Sequence, residues 1–206
     1  MNHTRTQRGA NRFFRMLNRW YCRFWQRLEP KARILPDGPL ILAGNHRAGV
    51  DPLLIQAAVN RPLCFLMDRE YYQAMWYARW LFDASGVIPV KPGGANRYAL
   101  SDAIETVRQG NALCLFPEGA ANPSVPLERI LPGAVILAME TGAPILPFRI
   151  TGTWPFDHVH LWRSFLRRGR ASVRFGEPIS LTEGLTGKDA IREWTETMKQ
   201  ALLNMK

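Results

Sequence analysis

Short apolar runs alternate with helical stretches along most of this chain, and that alternation leaves few folds open. The runs lie at residues 39–43, 62–67, 86–90, 112–116, 144–150 and 171–176. Apolar positions at helical spacing fill 52–59, 70–83, 97–109 and 129–141, and again 188–204. Gly86, Gly110, Gly142 and Gly187 punctuate the element ends, where a backbone free of a Cβ allows a sharp stop. Strands joined through helices run parallel, because the crossover returns the chain to the same end of the sheet. The sequence therefore predicts an α/β fold: a single domain with a largely parallel mixed sheet covered by helices. A chain of 206 residues can bury one substantial core and does not need two. In such sheets, functional side chains gather at the carboxyl ends of the strands.

The positive charge does not belong to that body. Residues 1–33 hold nine of the 27 basic residues and one of the 17 acidic ones, Glu29, so they carry eight of the ten net positive charges. Within this arm, residues 11–28 have helical periodicity. Phe13, Met16, Leu17, Trp20, Phe24 and Leu28 fall on one face, and Arg12, Arg15, Arg19, Arg23 and Gln26 on the other. Such a wide aromatic face calls for burial, not phosphate, so nucleic acid is not its expected partner. Two burials fit: packing on the body, or lying flat in a membrane interface with the arginines on anionic headgroups. One face is wide enough to do both. Arginine interrupts the segment too often for it to span a bilayer or serve as a secretory signal. The domain reading is a basic amphipathic membrane-interface arm over 1–36, followed by the globular domain over 37–206. The expected location is peripheral or monotopic, at the cytoplasmic face of a membrane. Three widely spaced cysteines, Cys22, Cys64 and Cys114, form no disulfide framework or zinc ribbon and suit a reducing compartment.

The first apolar run leads into Gly44-Asn45-His46-Arg47-Ala48-Gly49-Val50-Asp51. Asp51 followed by Pro52 is by itself a helix start, with Asp51 as N-cap and Pro52 as first helical residue. His46 follows the first strand, and Pro117-Glu118-Gly119 follows the fourth. Both segments thus end at one sheet edge, where they can share a cleft.

Taken together, His46 to Asp51 as H-x4-D, Phe116-Pro117-Glu118-Gly119, and Pro144-Ile145-Leu146-Pro147 resemble the glycerolipid acyltransferases, the family that includes 1-acylglycerol-3-phosphate acyltransferase. Residues 133–152 and 173–179 are similar to the blocks that follow in that family, so the resemblance covers roughly 37–180. It implies transfer of a fatty acyl group from an acyl thioester to a hydroxyl of a lysophospholipid-like acceptor. The thioester, of coenzyme A or acyl carrier protein, is a co-substrate, and no cofactor is implied. His46 would be the general base and Asp51 its orienting carboxylate, and Glu118 and Gly119 would shape the acceptor pocket. The chemistry suits the residues, since imidazole titrates within reach of neutral pH and a carboxylate fixes its tautomer. No G-x-S-x-G elbow supplies an acyl-enzyme nucleophile.

The chain departs from the family pattern where that pattern places cations for the acceptor's phosphate. Pro92 stands at the end of Gly86-Val87-Ile88-Pro89-Val90-Lys91, and Ala121 follows F-P-E-G, where the family carries arginine. Either Lys91, Arg97 and Arg129 rebuild the phosphate site from new positions, or the acceptor is an aminolipid or glycolipid with no phosphate there. A thioester hydrolase and an inert membrane-docking protein are the competing readings. His158 and His160 could form a metal pair, but no third ligand stands near them, and no metal is expected. The basic, aromatic stretch 162–170 reads as a solvated loop, with a second contact to anionic lipid as its alternative.

Overall fold

A computed structural model describes residues 10–29, 32–90, 100–119, 127, 129–154, 163–181 and 187–205. Six strands form one sheet: β1 (Leu40–Gly44), β2 (Leu63–Asp68), β3 (Val87–Val90), β4 (Ala112–Leu115), β5 (Ile145–Thr151) and β6 (Ser172–Phe175), in the order β3-β2-β4-β1-β5-β6. All pairs are parallel except β5 with β6, which closes one edge antiparallel. The largely parallel sheet expected from the alternation is therefore present. Strands β1 and β4 lie at the centre and are buried at every position. Such strands read as unbroken apolar runs because both faces are covered.

Those two faces follow the strand's period of two. Leu40, Leu42, Cys114, Leu146 and Phe148 pack toward α2 (Asp51–Ala57). Ile41, Ala43, Leu113, Leu115 and Ile145 pack toward α5 (Ser101–Arg108), α6 (Gly133–Thr141) and α8 (Lys188–Asn204). Helix α6 starts four residues later than its apolar spacing suggests. Pro132 is its N-cap, a residue that fits a helix start and not its interior.

The single helix expected over 70–83 is three pieces, α3 (Arg69–Ala74), a 3-10 turn (Trp76–Ala78) and α4 (Arg79–Ala84). Met75 leaves the helical region, at φ −91° and ψ 48°. The Tyr72 hydroxyl donates to Asp83 Oδ1 at 2.6 Å across the bend. A short helix α7 (Arg163–Leu166) precedes β6, where a loop was expected.

The arm is helical over α1 (Arg12–Phe24), capped by the Asn11 side chain, which accepts from Phe14 N at 2.9 Å. It docks on α2, but not by its aromatic face. Cys22 is fully buried at the contact, and Asn18 Nδ2 donates to Leu53 O at 2.8 Å. Arg15 and Arg19 donate to Asn60 O and Val59 O, at 3.1 and 3.0 Å, just past the end of α2. Guanidinium groups suit that position, because a helix C-terminus presents unpaired carbonyls and partial negative charge. Farther along, Tyr21, Trp25 and Gln26 donate to the carbonyls of Phe165, Leu166 and Ser164. Phe13, Met16, Leu17, Trp20 and Phe24 consequently face outward, all between 46% and 66% exposed. Packing of the aromatic face on the body is thus corrected for the helix itself: the body takes the polar side of α1 and leaves Phe13, Met16, Leu17, Trp20 and Phe24 open, while Leu28, beyond the helix end, is buried in the core.

Candidate active site

The loop after β1 is pinned before any chemistry begins. Gly44 ends the strand where the Phe148 ring approaches so closely that a Cβ would stand 2.3 Å from its Cε2 atom. Only glycine fits there. Asn45 is buried and forms two hydrogen bonds with one residue of β5, donating to Ile150 O at 2.9 Å and accepting from Ile150 N at 2.7 Å. Its amide continues the β1–β5 ladder one step beyond the strand. Sequence reasoning passed over Gly44 and Asn45. Their signal was the small and polar pair set between an apolar strand and the histidine.

His46 and Asp51 then meet. Imidazole Nδ1 lies 3.0 Å from Asp51 Oδ2, the His46 side chain being 21% exposed and that of Asp51 fully buried. The same carboxylate oxygen accepts Arg47 N at 2.6 Å and Ala48 N at 2.7 Å. Asp51 is therefore not the N-cap of α2. It is the first residue of the helix, Val50 occupies the cap with no side-chain hydrogen bond, and the carboxylate turns back into the loop. Two converging backbone N–H groups and the imidazole hold it there.

The second segment arrives from β4. The Phe116 ring stacks on the His46 imidazole, with centroids 4.2 Å apart and planes 19° from parallel. Its edge meets Phe148 at 6.0 Å and 76°. The Glu118 carboxylate bridges two loops, accepting His46 N at 2.7 Å and Leu127 N at 3.0 Å. Gly119 has φ +74°, and a Cβ there would lie 2.6 Å from Leu131 Cδ1. That backbone conformation requires glycine.

Among the anticipated site residues, His46, Asp51 and Glu118 are joined by direct hydrogen bonds, and Gly119 lies on the Glu118 turn. Arg129 is exposed, two residues before Leu131, whose amide donates to Pro117 O at 2.7 Å. Lys91 and Arg97 lie outside the described residues, as do Pro92, Ala121, His158 and His160. Among the described residues, no group of three His, Cys, Asp or Glu side chains is placed to hold a metal ion.

The sequence pattern of the acyltransferase family matches residues 26–151. The chain is 27% identical over 150 residues to a probable 1-acyl-sn-glycerol-3-phosphate acyltransferase of Mycoplasma genitalium, covering 68% of this chain and 54% of that protein. It is 26% identical over 207 residues to the lyso-ornithine lipid O-acyltransferase of Pseudomonas aeruginosa, covering 91% of this chain and 78% of that one. The fold is similar to the crystal structure of the 1-acyl-sn-glycerophosphate acyltransferase of Thermotoga maritima. That likeness has a TM-score of 0.61 and 21% identity, over 93% of this chain and 82% of the other. The chain spans about half the length of three of the curated relatives it matches.

Proposed function

This chain belongs to the acyltransferase family, and on that premise we propose that it moves a fatty acyl group from an acyl thioester to a hydroxyl of a lysophospholipid-like acceptor. One observation carries the reading: a partly exposed imidazole held by a fully buried carboxylate at the carboxyl edge of the sheet. With Nδ1 committed to Asp51, Nε2 is the nitrogen that takes the acceptor's hydroxyl proton as its oxygen attacks the thioester carbonyl. The developing imidazolium is stabilised by Asp51, whose two backbone amides keep the carboxylate from moving. Collapse of the tetrahedral intermediate breaks the carbon–sulfur bond, and the proton on His46 passes to the departing thiolate. No acyl-enzyme is needed. Phe116, stacked on the imidazole, fixes the ring plane, and Glu118 fixes the His46 backbone, so the base is set before substrate arrives.

The donor in this reading is acyl coenzyme A or acyl carrier protein, used as a co-substrate. The acceptor is delivered by a membrane carrying anionic lipid, on which the exposed aromatic face of α1 lies at the cytoplasmic side. Exposed Arg12 and Arg23 line an open groove of about 660 Å³ with Met16, Trp20 and Phe24, its inner side formed by Asn60 and by Arg15 and Arg19, which are held by carbonyls just past the end of α2. Its open side is a mixture of cation and aromatic that suits a headgroup layer. No helix among the described residues is long and apolar enough to cross a membrane.

A second reading of the acceptor rests on its own observations. Pro92 and Ala121 stand where the resemblance places cations, and the relative named as a lyso-ornithine lipid acyltransferase aligns over most of both chains. Both features favour an aminolipid headgroup without a phosphomonoester. Assays with acyl coenzyme A, with and without lysolipid acceptors, test the main reading. Acyl transfer supports it. Thioester hydrolysis alone would make the protein a hydrolase, and neither activity would leave an inert docking protein.

A further inference from the structure

The connection between β2 and β3 carries an aromatic tip that neither the core nor the proposed reaction uses. Trp76 is 72% exposed, Tyr77 61% and Trp80 64%. These are large rings to leave in water, since burial of an aromatic side chain is strongly favourable. The segment is well held. The Tyr72 hydroxyl ties α3 to α4 through Asp83, Tyr72 meets Phe82 at 6.0 Å, and Arg79 lies over the Tyr72 ring at 5.6 Å. Its exposed rings are therefore presented by a folded cap.

That cap adjoins the arm. Trp80 meets Phe14 of α1 with centroids 6.2 Å apart, and Phe14 meets Phe13 at 6.4 Å. The outward rings of α1 and those of the cap are thus joined into a band through Phe13, Phe14 and Trp80. Exposed Arg12 and Arg23 border the α1 part of the band, and on the cap exposed Arg69 and Arg79 are offset by exposed Glu70 and Asp83, so the cationic edge lies on the α1 side. An apolar band edged by cations matches a bilayer surface with anionic headgroups, and a patch of this kind marks an interaction site. The cap also leaves β2 at the sheet edge where His46 follows β1 and Glu118 follows β4.

We infer that the α3–α4 cap is a second membrane-insertion element. With α1 it forms one docking plane, which seats the carboxyl edge of the sheet against an anionic bilayer, so that a bilayer-resident acceptor reaches His46 without leaving the lipid phase. The inference rests on reading α1 as lipid-facing, and its test keeps the two apart. Full-length protein, Trp76→Ala/Trp80→Ala, the single variant Trp76→Glu and Trp20→Ala/Phe24→Ala are sedimented with phosphatidylcholine vesicles containing phosphatidylglycerol. Circular dichroism and thermal unfolding check the fold of each. The expected result is partitioning weakened about tenfold or more in both the cap and the arm variants. Trp76→Glu serves where the double variant does not fold, because Trp76 lies at the exposed tip with its ring against Tyr77. Native-like partitioning by a folded cap variant, beside release of the arm variant, overturns the inference and leaves the arm reading standing. Native-like partitioning by both, or a solution dimer that Trp76→Glu breaks without changing vesicle binding, overturns it as well.

Discussion

The backbone amide of His46 donates to Glu118 at 2.7 Å, so the residue proposed as base is positioned by a carboxylate from another strand. The other Glu118 oxygen holds Leu127 N at 3.0 Å. Removing the carboxylate should loosen both loops at once. Glu118→Ala is expected to lower kcat by about 10- to 100-fold, the rate loss following the bond to the His46 amide, worth about 1.5–3 kcal/mol. Glu118→Gln should retain part of the rate, because its amide oxygen can still accept one of the two N–H groups. Steady-state kinetics beside thermal unfolding check this, and equal rates for Ala, Gln and native proteins would remove Glu118 from the account.

Asn45 offers a separate test of how the loop is held. It is buried, and Asn45→Ala leaves Ile150 N and O without their partners. The expected loss is about 1–3 kcal/mol, read as a fall in Tm of roughly 2–10 °C. Asn45→Asp keeps an acceptor for Ile150 N but brings a charge beside Ile150 O, and should be at least as harmful.

Docking of α1 should depend on pH through Cys22. Burial pushes this thiol from its ordinary value near 9 up to about 12. A released arm ionises its thiol above pH 9 while the docked arm keeps the proton, so the released state gains stability as pH rises. Docking is therefore unaffected by this group below about pH 9 and weakens from there toward pH 12. Iodoacetamide labelling followed by peptide mapping checks it. Cys22 should react slowly in the native protein and faster when Asn18→Ala loosens the arm, while Cys64 and Cys114, buried in the sheet, stay protected.

Arg129 separates the two acceptor readings. If it helps hold a phosphate, Arg129→Ala should lower kcat/KM for lysophosphatidic acid by roughly 10- to 100-fold, equivalent to about 1.5–3 kcal/mol. Acceptors without a phosphomonoester should be little affected. An equal effect on all acceptors, with a lyso-aminolipid preferred by the native protein, favours the second reading.

Much of this architecture was legible in the residues. The apolar runs gave all six strands, most plainly β1 and β4, which are buried on both faces and leave no alternation to confuse. His46 and Glu118 were legible as neighbours from their places after β1 and β4, whereas the pairing of Asp51 with His46 came from the family resemblance. Side-chain direction was harder to read. Asp51-Pro52 carries a complete helix-start signal, yet the carboxylate turns back to Arg47 N and Ala48 N, a choice set by tertiary convergence of amides. The amphipathic pattern of α1 was plain, but periodicity gives the faces and not which one docks. Asn18, Arg15 and Arg19 find unpaired carbonyls on and beyond α2, and those acceptors exist only once α2 is folded. The bend at Met75 depends likewise on Tyr72 reaching Asp83.

The central claim is that His46, oriented by Asp51, is the base for acyl transfer. Its most direct test is kcat/KM for transfer from acyl coenzyme A to a lysolipid, in native protein and in His46→Ala with its fold verified. A loss of at least about 10²-fold is predicted from general-base catalysis alone. Asp51→Asn should be comparably impaired, since an amide neither fixes the tautomer nor stabilises the imidazolium. Near-native turnover by a folded His46→Ala protein would contradict the account.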